Sequence, residues 1–156
     1  MNTPAAPAAG TGSADPASAD PGSDDSGPVG RLGFVAEQIV QEFGWDGDVD
    51  DDFRFAVEDV IGSDLEDEDY TGETDAALLW WRAGDGDLTD ALVDLVGVLQ
   101  EGGFAVVLTP KDRDAGAVDP AEIDEAAGTA GLHTAGAFHA SPRWRASKLV
   151  APKGRR

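Results

Sequence analysis

The chain has 156 residues, no cysteine, and 31 acidic against 11 basic residues, which gives a formal net charge of −20 at pH 7. The absence of cysteine excludes disulfides, thiolate metal sites and thiol nucleophiles. Every acidic residue lies at or before Glu125, so residues 1–125 carry 5 − 31 = −26 and the remainder carries +6. Because so acidic a body repels nucleic acid and anionic lipid, we expect neither to be a partner.

The first thirty residues consist mostly of Ala, Pro, Gly, Ser and Asp and offer little apolar surface to bury. We therefore interpret residues 1–30 as a disordered leader, residues 31–152 as a single α/β domain and residues 153–156 as a basic tail. The N-terminus lacks the basic start and apolar stretch of a signal peptide, and the longest apolar run is too short to cross a bilayer. We expect a cytoplasmic protein.

In the first half of the domain, a short strand precedes a helix. Residues 37–43 fit either a helix face or a strand that enters a sharp turn at Gly44, and the strand suits an alternation of strands and helices better. Residues 50–61 then predict a helix with an acidic first turn, which suits the helix dipole. The residues predicted to face inward from this helix are Phe53, Ala56, Val57, Val60 and Ile61.

A β-α-β unit occupies the middle of the domain. Residues 75–81 (DAALLWW) and 104–109 (FAVVLT) are short apolar runs bounded by turn formers, which is typical of buried strands. Between them, Asp87 is a natural N-cap, and apolar residues recur at helical spacing until Gly102 and Gly103 stop the run. The two strands should pair in parallel through a right-handed crossover.

The last part of the domain predicts one more helix and a hairpin. Pro120 begins the helix and Gly131 ends it, and residues 134–139 and 145–151 form an antiparallel pair around a tight turn. The whole order predicts the α/β class, with a small doubly wound, mostly parallel sheet of about five strands that is Rossmann-like but trimmed.

This order of elements resembles the class I methyltransferase fold with its second and third strands missing. The Gly-Gly before one strand, the Thr-Pro-Lys after it and the closing hairpin carry the resemblance over residues 75–152. It implies that the last strand inserts antiparallel beside residues 104–109. It also leaves the first strand at an edge, which either the acidic loop at residues 64–75 or a second copy of the chain would cover, so a homodimer is a hypothesis.

A closer resemblance rests on six segments taken together: RLGF, QIVQEFGWDGDVD, DEDY, LLWWRAGDGDLTDALVD, GGFAVVLTPK and KLVAPKGRR. With them the chain resembles, over residues 31–156, an actinobacterial family of short acidic proteins known only as a domain of unknown function. The resemblance names a family without naming an activity.

Open α/β sheets bind ligands in a crevice beyond the carboxyl ends of their parallel strands. Strand alternation directs Trp80 and Trp81 to opposite faces of the sheet. Either the one nearer the strand end roofs the crevice, or both pack under helices, as large aromatic residues mostly do. The residues at the predicted strand ends are Trp45, Asp46, Trp81, Arg82, Thr109 and Lys111.

The sequence argues against a cofactor or a metal in this crevice. S-adenosylmethionine and dinucleotides need a glycine-rich turn after the first strand, whereas the turn here, FGWDGDVDDD, contains a tryptophan and five aspartates. Asp46, Asp48 and Asp50 have the spacing of a calcium loop, but the pattern fails at Asp51 and Val57, where Gly and Glu are required. We assign no cofactor, no metal and no catalytic residue.

Basic residues are concentrated at the end of the chain, at Arg143, Arg145, Lys148, Lys153, Arg155 and Arg156. The favoured interpretation is that they balance the acidic body within the molecule. The alternative is that the last three form a handle for an acidic partner or for nucleic acid.

The sequence as a whole predicts a non-enzymatic interaction or regulatory module, which docks a protein segment or a small metabolite in the crevice. The aromatic and cationic residues at the strand ends favour this hypothesis. The alternative is a divergent methyltransferase-like enzyme that uses S-adenosylmethionine, which the order of the C-terminal elements favours.

Overall fold

The computed structural model describes residues 28–111 and 116–151, which form one five-stranded sheet with helices on both faces. The elements in chain order are α1 (Pro28–Leu32), β1 (Val40–Phe43), α2 (Asp51–Ile61), β2 (Thr74–Trp80), α3 (Leu88–Val98), β3 (Leu99–Pro110), α4 (Pro120–Ala130), β4 (His133–His139) and β5 (Trp144–Val150). The predicted α/β class is confirmed.

The strands lie in the order β1-β2-β3-β5-β4. The first three strands are parallel, and β5 lies antiparallel between β3 and β4. The insertion of the last strand beside residues 104–109, which the methyltransferase resemblance implies, is therefore confirmed. Both faces of the sheet are covered, as a parallel sheet requires.

The three long helices begin within one residue of their predicted starts, and Asp87 is the N-cap that the sequence predicts. The side chains of Asp50, Asp87 and Asp119 each accept a hydrogen bond from a backbone N–H in the first turn of α2, α3 and α4. Gly62 and Gly131 end α2 and α4 with φ of 82° and 89°, a left-handed conformation that glycine adopts without steric cost. These bounds depend on local contacts, which is why the sequence pattern predicts them.

The sheet separates two apolar cores, and the tryptophan pair of β2 contributes one ring to each. Trp80 is fully buried on the face covered by α1 and α2. Trp81, which follows β2 directly, packs on the face covered by α3 and α4 and is 8% exposed. Both tryptophans are core residues, which agrees with the second of the two interpretations given above.

Residues 64–73 cover the open edge of β1. Glu66 exchanges two backbone hydrogen bonds of 2.8 Å with β1. The buried side-chain amide of Gln41 donates to the carbonyl oxygens of Asp67 and Tyr70, each at 3.0 Å. The acidic loop therefore covers the edge of β1. This is one of the two predicted possibilities, and the other was a second copy of the chain.

The structure differs from the prediction at two places near the start of the domain. α1 begins at Pro28, inside the predicted leader, and Val29 and Leu32 are buried in the core. β1 begins at Val40 instead of residue 37, because Glu37 has a φ of 72° and so departs from extended backbone.

Gly102 and Gly103 lie inside β3, which corrects their predicted role at the end of α3. The helix ends earlier because Leu99 is already extended, with φ −75° and ψ 140°. A Cβ atom at Gly103 would lie 2.8 Å from the carbonyl oxygen of Asp75, so glycine is needed where β3 approaches β2 closely. A helix stop and a close strand approach both select glycine, and the sequence alone does not distinguish them.

Candidate functional site

A buried ion pair joins β1 to α2 near the carboxyl end of the strand. Arg54 donates two hydrogen bonds to Glu42, from Nε to Oε2 at 2.7 Å and from Nη2 to Oε1 at 2.9 Å. Glu42 is 6% exposed, and its Oε2 also accepts the indole N–H of Trp80 at 2.8 Å. The hydrogen bond with Glu42 raises the pKa of Arg54, so the guanidinium stays charged. This pairing compensates the cost of burying a carboxylate.

Arg82 lies just beyond β2 and holds the loop that follows β1. Its Nη1 donates to the carbonyl oxygens of Gly44 at 2.8 Å and Trp80 at 3.1 Å. Its Nε donates to Asp48 Oδ2 at 3.1 Å, and Nη2 forms a second bond to the same carboxylate. The guanidinium carbon is 5.3 Å from the ring centroid of Trp144. The hydrogen bond from Arg82 lowers the pKa of Asp48 below its ordinary value.

The two arginine–carboxylate pairs are connected through the rings of Trp80 and Trp144. The ring centroids are 4.9 Å apart with an interplanar angle of 84°, which is the favourable edge-to-face arrangement. Trp144 Nε1 donates to the backbone carbonyl oxygen of Asp48 at 3.2 Å. The loop at residues 44–50 is therefore attached to both β2 and β5.

The predicted crevice residues lie in different surroundings. The ring of Trp81 is in the core beneath α3 and α4, on the opposite face from the Arg82 contacts with the β1 loop. Thr109 is buried, and its Oγ1 has no hydrogen-bond partner among the described residues. Lys111 is half-buried, and its backbone N–H donates to the carbonyl oxygen of Arg143 at 3.0 Å.

Trp45 lies outside the core. All four tryptophans fall in the described part of the chain, and Trp45 alone of them is exposed, at 57%. It lines a groove of about 480 Å³ with Glu42, Arg54 and residues 67–69. We call this the Trp45 groove. Its lining carries four carboxylates and one guanidinium, so its formal charge is 1 − 4 = −3. Asp46 follows Trp45 and is also exposed.

The basic residues of the hairpin lie among the described residues, whereas the basic tail does not. Arg143 contributes to the lowered pKa of Asp48. Arg145 lies opposite Thr109 in the β3–β5 register. Lys148 Nζ is 4.7 Å from the ring centroid of Phe104. The tail residues outside the described part of the chain are Lys153, Arg155 and Arg156.

The polar residues that build the groove were not predicted from the sequence; they are Gln41, Glu42 and Arg54. Two signals were available. The strand VQEF has two polar residues at its centre, although both of its faces lie in the core region. Arg54 and Arg82 are also the only basic residues between Arg31 and Lys111, in a segment rich in carboxylates. Isolated arginines in such a segment indicate buried or specific ion pairs.

The aspartates with calcium-loop spacing act separately. Asp48 pairs with Arg82, and Asp50 caps α2. Within residues 28–111 and 116–151, no group of three or more His, Cys, Asp or Glu side chains is placed to hold a metal ion. In the same residues, no helix is long and apolar enough to cross a membrane.

Comparison with known proteins identifies relatives along nearly the whole described domain. A family model described as a protein of unknown function, DUF3052, matches residues 29–153. Uncharacterized proteins of Mycobacterium tuberculosis and Mycobacterium bovis are 50% identical to the chain over 125 residues, which covers 80% of this chain and 78% of each relative. The resemblance to an actinobacterial family of unknown function is confirmed.

Solved structures with a similar fold include methyltransferases. An O-methyltransferase family protein from Burkholderia thailandensis has a TM-score of 0.55 at 14% identity, over 83% of this chain and 56% of that one. Mitomycin 7-O-methyltransferase MmcR has a TM-score of 0.53 at 12% identity, over 74% of this chain and 49% of that one. At these identities the likeness shows a shared fold and nothing about activity.

Proposed function

The chain belongs to the family of proteins of unknown function DUF3052, and we propose that it is a non-enzymatic docking module whose Trp45 groove binds a positively charged segment of a partner protein. The observation that carries this proposal is the exposure of Trp45 beside the acidic residues 67–69. The sequence predicts a docking site in a crevice at the strand ends. The Trp45 groove lies instead at the β1 edge of the sheet, near the carboxyl end of that strand, where an aromatic ring is accessible.

The chemistry of the groove suits a lysine or arginine side chain. The face of an exposed indole attracts a cation, and an open carboxylate binds a guanidinium or ammonium group through charge-assisted hydrogen bonds. The lining combines both kinds of group and has a formal charge of −3. The charge of −20 on the chain also increases the rate at which a cationic segment meets it.

The groove is held in place before any partner binds. Gln41 and Glu66 attach residues 64–73 to β1 on one side, and Arg54 is bonded to Glu42 on the other. The backbone N–H of Gly44 donates to Glu68 Oε2 at 2.9 Å, which ties the loop after β1 to the acidic segment. A preformed surface loses less entropy when a partner binds.

A protein segment fits this groove better than a small metabolite does. Pockets for small molecules are lined mainly by apolar side chains with few polar groups. Here Trp45 is the one apolar side chain in a lining that otherwise carries charged groups. Recognition through charge and one aromatic contact is typical of an exposed segment of a partner protein.

The alternative, a methyltransferase-like enzyme, is supported by the fold alone. The residues after β1 do not fit S-adenosylmethionine, which needs open backbone at this turn. Gly44 packs so closely that a Cβ atom on it would lie 2.3 Å from the carbonyl oxygen of Trp80. Arg82 covers the same loop through its hydrogen bonds to Asp48 and to the carbonyl oxygen of Gly44. The test of this alternative is a calorimetric titration of the chain with S-adenosylmethionine.

The docking proposal is tested by titrating dye-labelled synthetic peptides rich in Lys and Arg with the full chain, while the fluorescence anisotropy of the dye is recorded. Trp45→Ala should weaken binding about fivefold or more, because a desolvated cation–π contact contributes about 1–2 kcal/mol. The control is Val93→Ala, which removes an exposed apolar side chain from α3. Equal affinities for the Trp45→Ala chain and the unaltered chain would overturn the proposal.

A further inference from the structure

We propose that the basic tail, residues 153–156, docks within its own chain in a second groove, which lies at the amino ends of β2 and β3. This contact is independent of the Trp45 groove, which lies near the carboxyl end of β1. In this contact the tail binds a defined surface of its own domain.

The second groove has a volume of about 270 Å³ and is lined by acidic and polar groups. Three carboxylates contribute to the lining, those of Glu37, Asp75 and Glu101. Asp75 accepts hydrogen bonds from the backbone N–H of Ile39 and the side-chain amide of Gln100, each at 2.8 Å. Glu37 and Glu101 are exposed, and in the described part of the chain no ion pair involves either.

The chain leaves the described domain at the wall of this groove. The backbone N–H of Ala151 donates to the carbonyl oxygen of Gly103 at 2.9 Å, and Gly103 is part of the groove lining. Ala151 is the last residue before the tail and its linking proline. Five extended residues from Ala151 to Arg156 span at most about 17 Å, so the tail begins within reach of the groove.

The charges of the two parts are complementary. The tail carries Lys153, Arg155 and Arg156 and no carboxylate side chain, whereas the groove lining carries carboxylates and no Lys or Arg. A tether this short holds the tail at a local concentration on the order of millimolar, so even weak contacts are populated. The tail is therefore tethered beside an acidic surface of its own chain.

The absence of native cysteine allows a direct test. A nitroxide is attached to Gly154→Cys in the full chain labelled with ¹⁵N, and amide signals are compared with those of the reduced label at low salt. Because Ala151 is bonded to Gly103, the label lies near residues 101–103 in every conformation of the tail, and the informative signals are those of residues 37–38. We expect the signal loss at residues 37–38 to be large at low salt and clearly smaller at 1 M salt, where the screening length falls to about 3 Å.

Variants separate specific docking from general attraction. Glu37→Gln combined with Glu101→Gln should reduce the signal loss at residues 37–38 at low salt to the value seen at 1 M salt. The matched control, Glu122→Gln with Glu125→Gln, removes two exposed carboxylates of α4 and should leave the signal loss unchanged. A signal loss at residues 37–38 that does not change with salt or with the substitutions at Glu37 and Glu101, or a loss centred on residues 67–69, would overturn the proposal. Loss that appears when ¹⁵N chain without the label is mixed with labelled ¹⁴N chain would also overturn it, because the contact would then lie between copies.

Discussion

The indole N–H of Trp80 donates a hydrogen bond of 2.8 Å to the carboxylate of Glu42, 38 residues earlier in the chain. Both residues are buried, and the same carboxylate is bonded to Arg54. Trp80 therefore fills the core and also supplies a polar donor to a buried charge. Phenylalanine would keep an aromatic ring in the core, but it is smaller and has no N–H donor.

Replacing Trp80 by Phe should lower the free energy of unfolding by at least about 1–3 kcal/mol, because Glu42 loses a buried hydrogen-bond donor and the smaller ring leaves a void. Urea unfolding followed by circular dichroism measures this change. Trp45→Phe is the matched control, and since Trp45 is exposed it should change stability by no more than about 0.5 kcal/mol. Similar losses for the two variants would contradict the role assigned to the Trp80 bond.

Arg54→Met should destabilise the protein by about 3 kcal/mol, because it leaves the Glu42 carboxylate buried without its cation. The double variant with Glu42→Gln should recover part of the loss, since a neutral amide costs less to bury. Arg31→Met, at an exposed position of α1, serves as the control in the same unfolding assay. Strictly additive effects of the two substitutions would show that the residues do not interact.

Substitutions of Gly44 and Gly62 separate backbone strain from close packing. Both glycines are left-handed, with φ of 75° and 82°, but only Gly44 has an atom in the way of a Cβ. Gly62→Ala should cost about 1 kcal/mol from the backbone conformation alone. Gly44→Ala should cost clearly more in thermal unfolding, because its Cβ would overlap the carbonyl oxygen of Trp80. Equal costs would mean that the loop after β1 moves away freely.

The Asp48–Arg82 pair should contribute to the dependence of stability on pH. The hydrogen bond from Arg82 lowers the folded-state pKa of Asp48 below its ordinary value of 3.8. Such a carboxylate stabilises the fold above its unfolded-state pKa, and the contribution is lost as the pH falls through the lower folded-state value. The loss therefore occurs below about pH 4.

Asp48→Asn should remove this contribution. Because the side chain of Asp48 is 49% exposed, the expected loss at pH 7 is less than about 1 kcal/mol. Urea unfolding between pH 2.5 and pH 7 should show a smaller decrease in stability with acid for this variant than for the unaltered chain, on the order of a few tenths of a kcal/mol. Asp46→Asn is the control, and an acid decrease identical in all three chains would contradict the prediction.

Much of the architecture was predictable from the sequence because local rules determine it. The caps of α2, α3 and α4 and the alternation of Trp80 and Trp81 between the two faces depend on neighbours within a few residues. The strand order followed from the succession of elements together with the resemblance to the methyltransferase fold. Predicted bounds failed where one signal has two meanings, as at Gly102 and Gly103, and where the backbone leaves the extended conformation, as at Glu37.

The site was decided by the tertiary structure. Whether Trp45 or Trp81 is exposed depends on which helices cover the ends of β1 and β2, and strand alternation does not contain that information. The partners of Glu42, which are Arg54 and Trp80, lie 12 and 38 residues away along the chain. A sequence pattern indicates the conformation that each residue prefers and its contacts with residues nearby in the chain. Contacts across such separations form only when the sheet brings the strands together, because their energies come from burial and charge pairing in the folded chain.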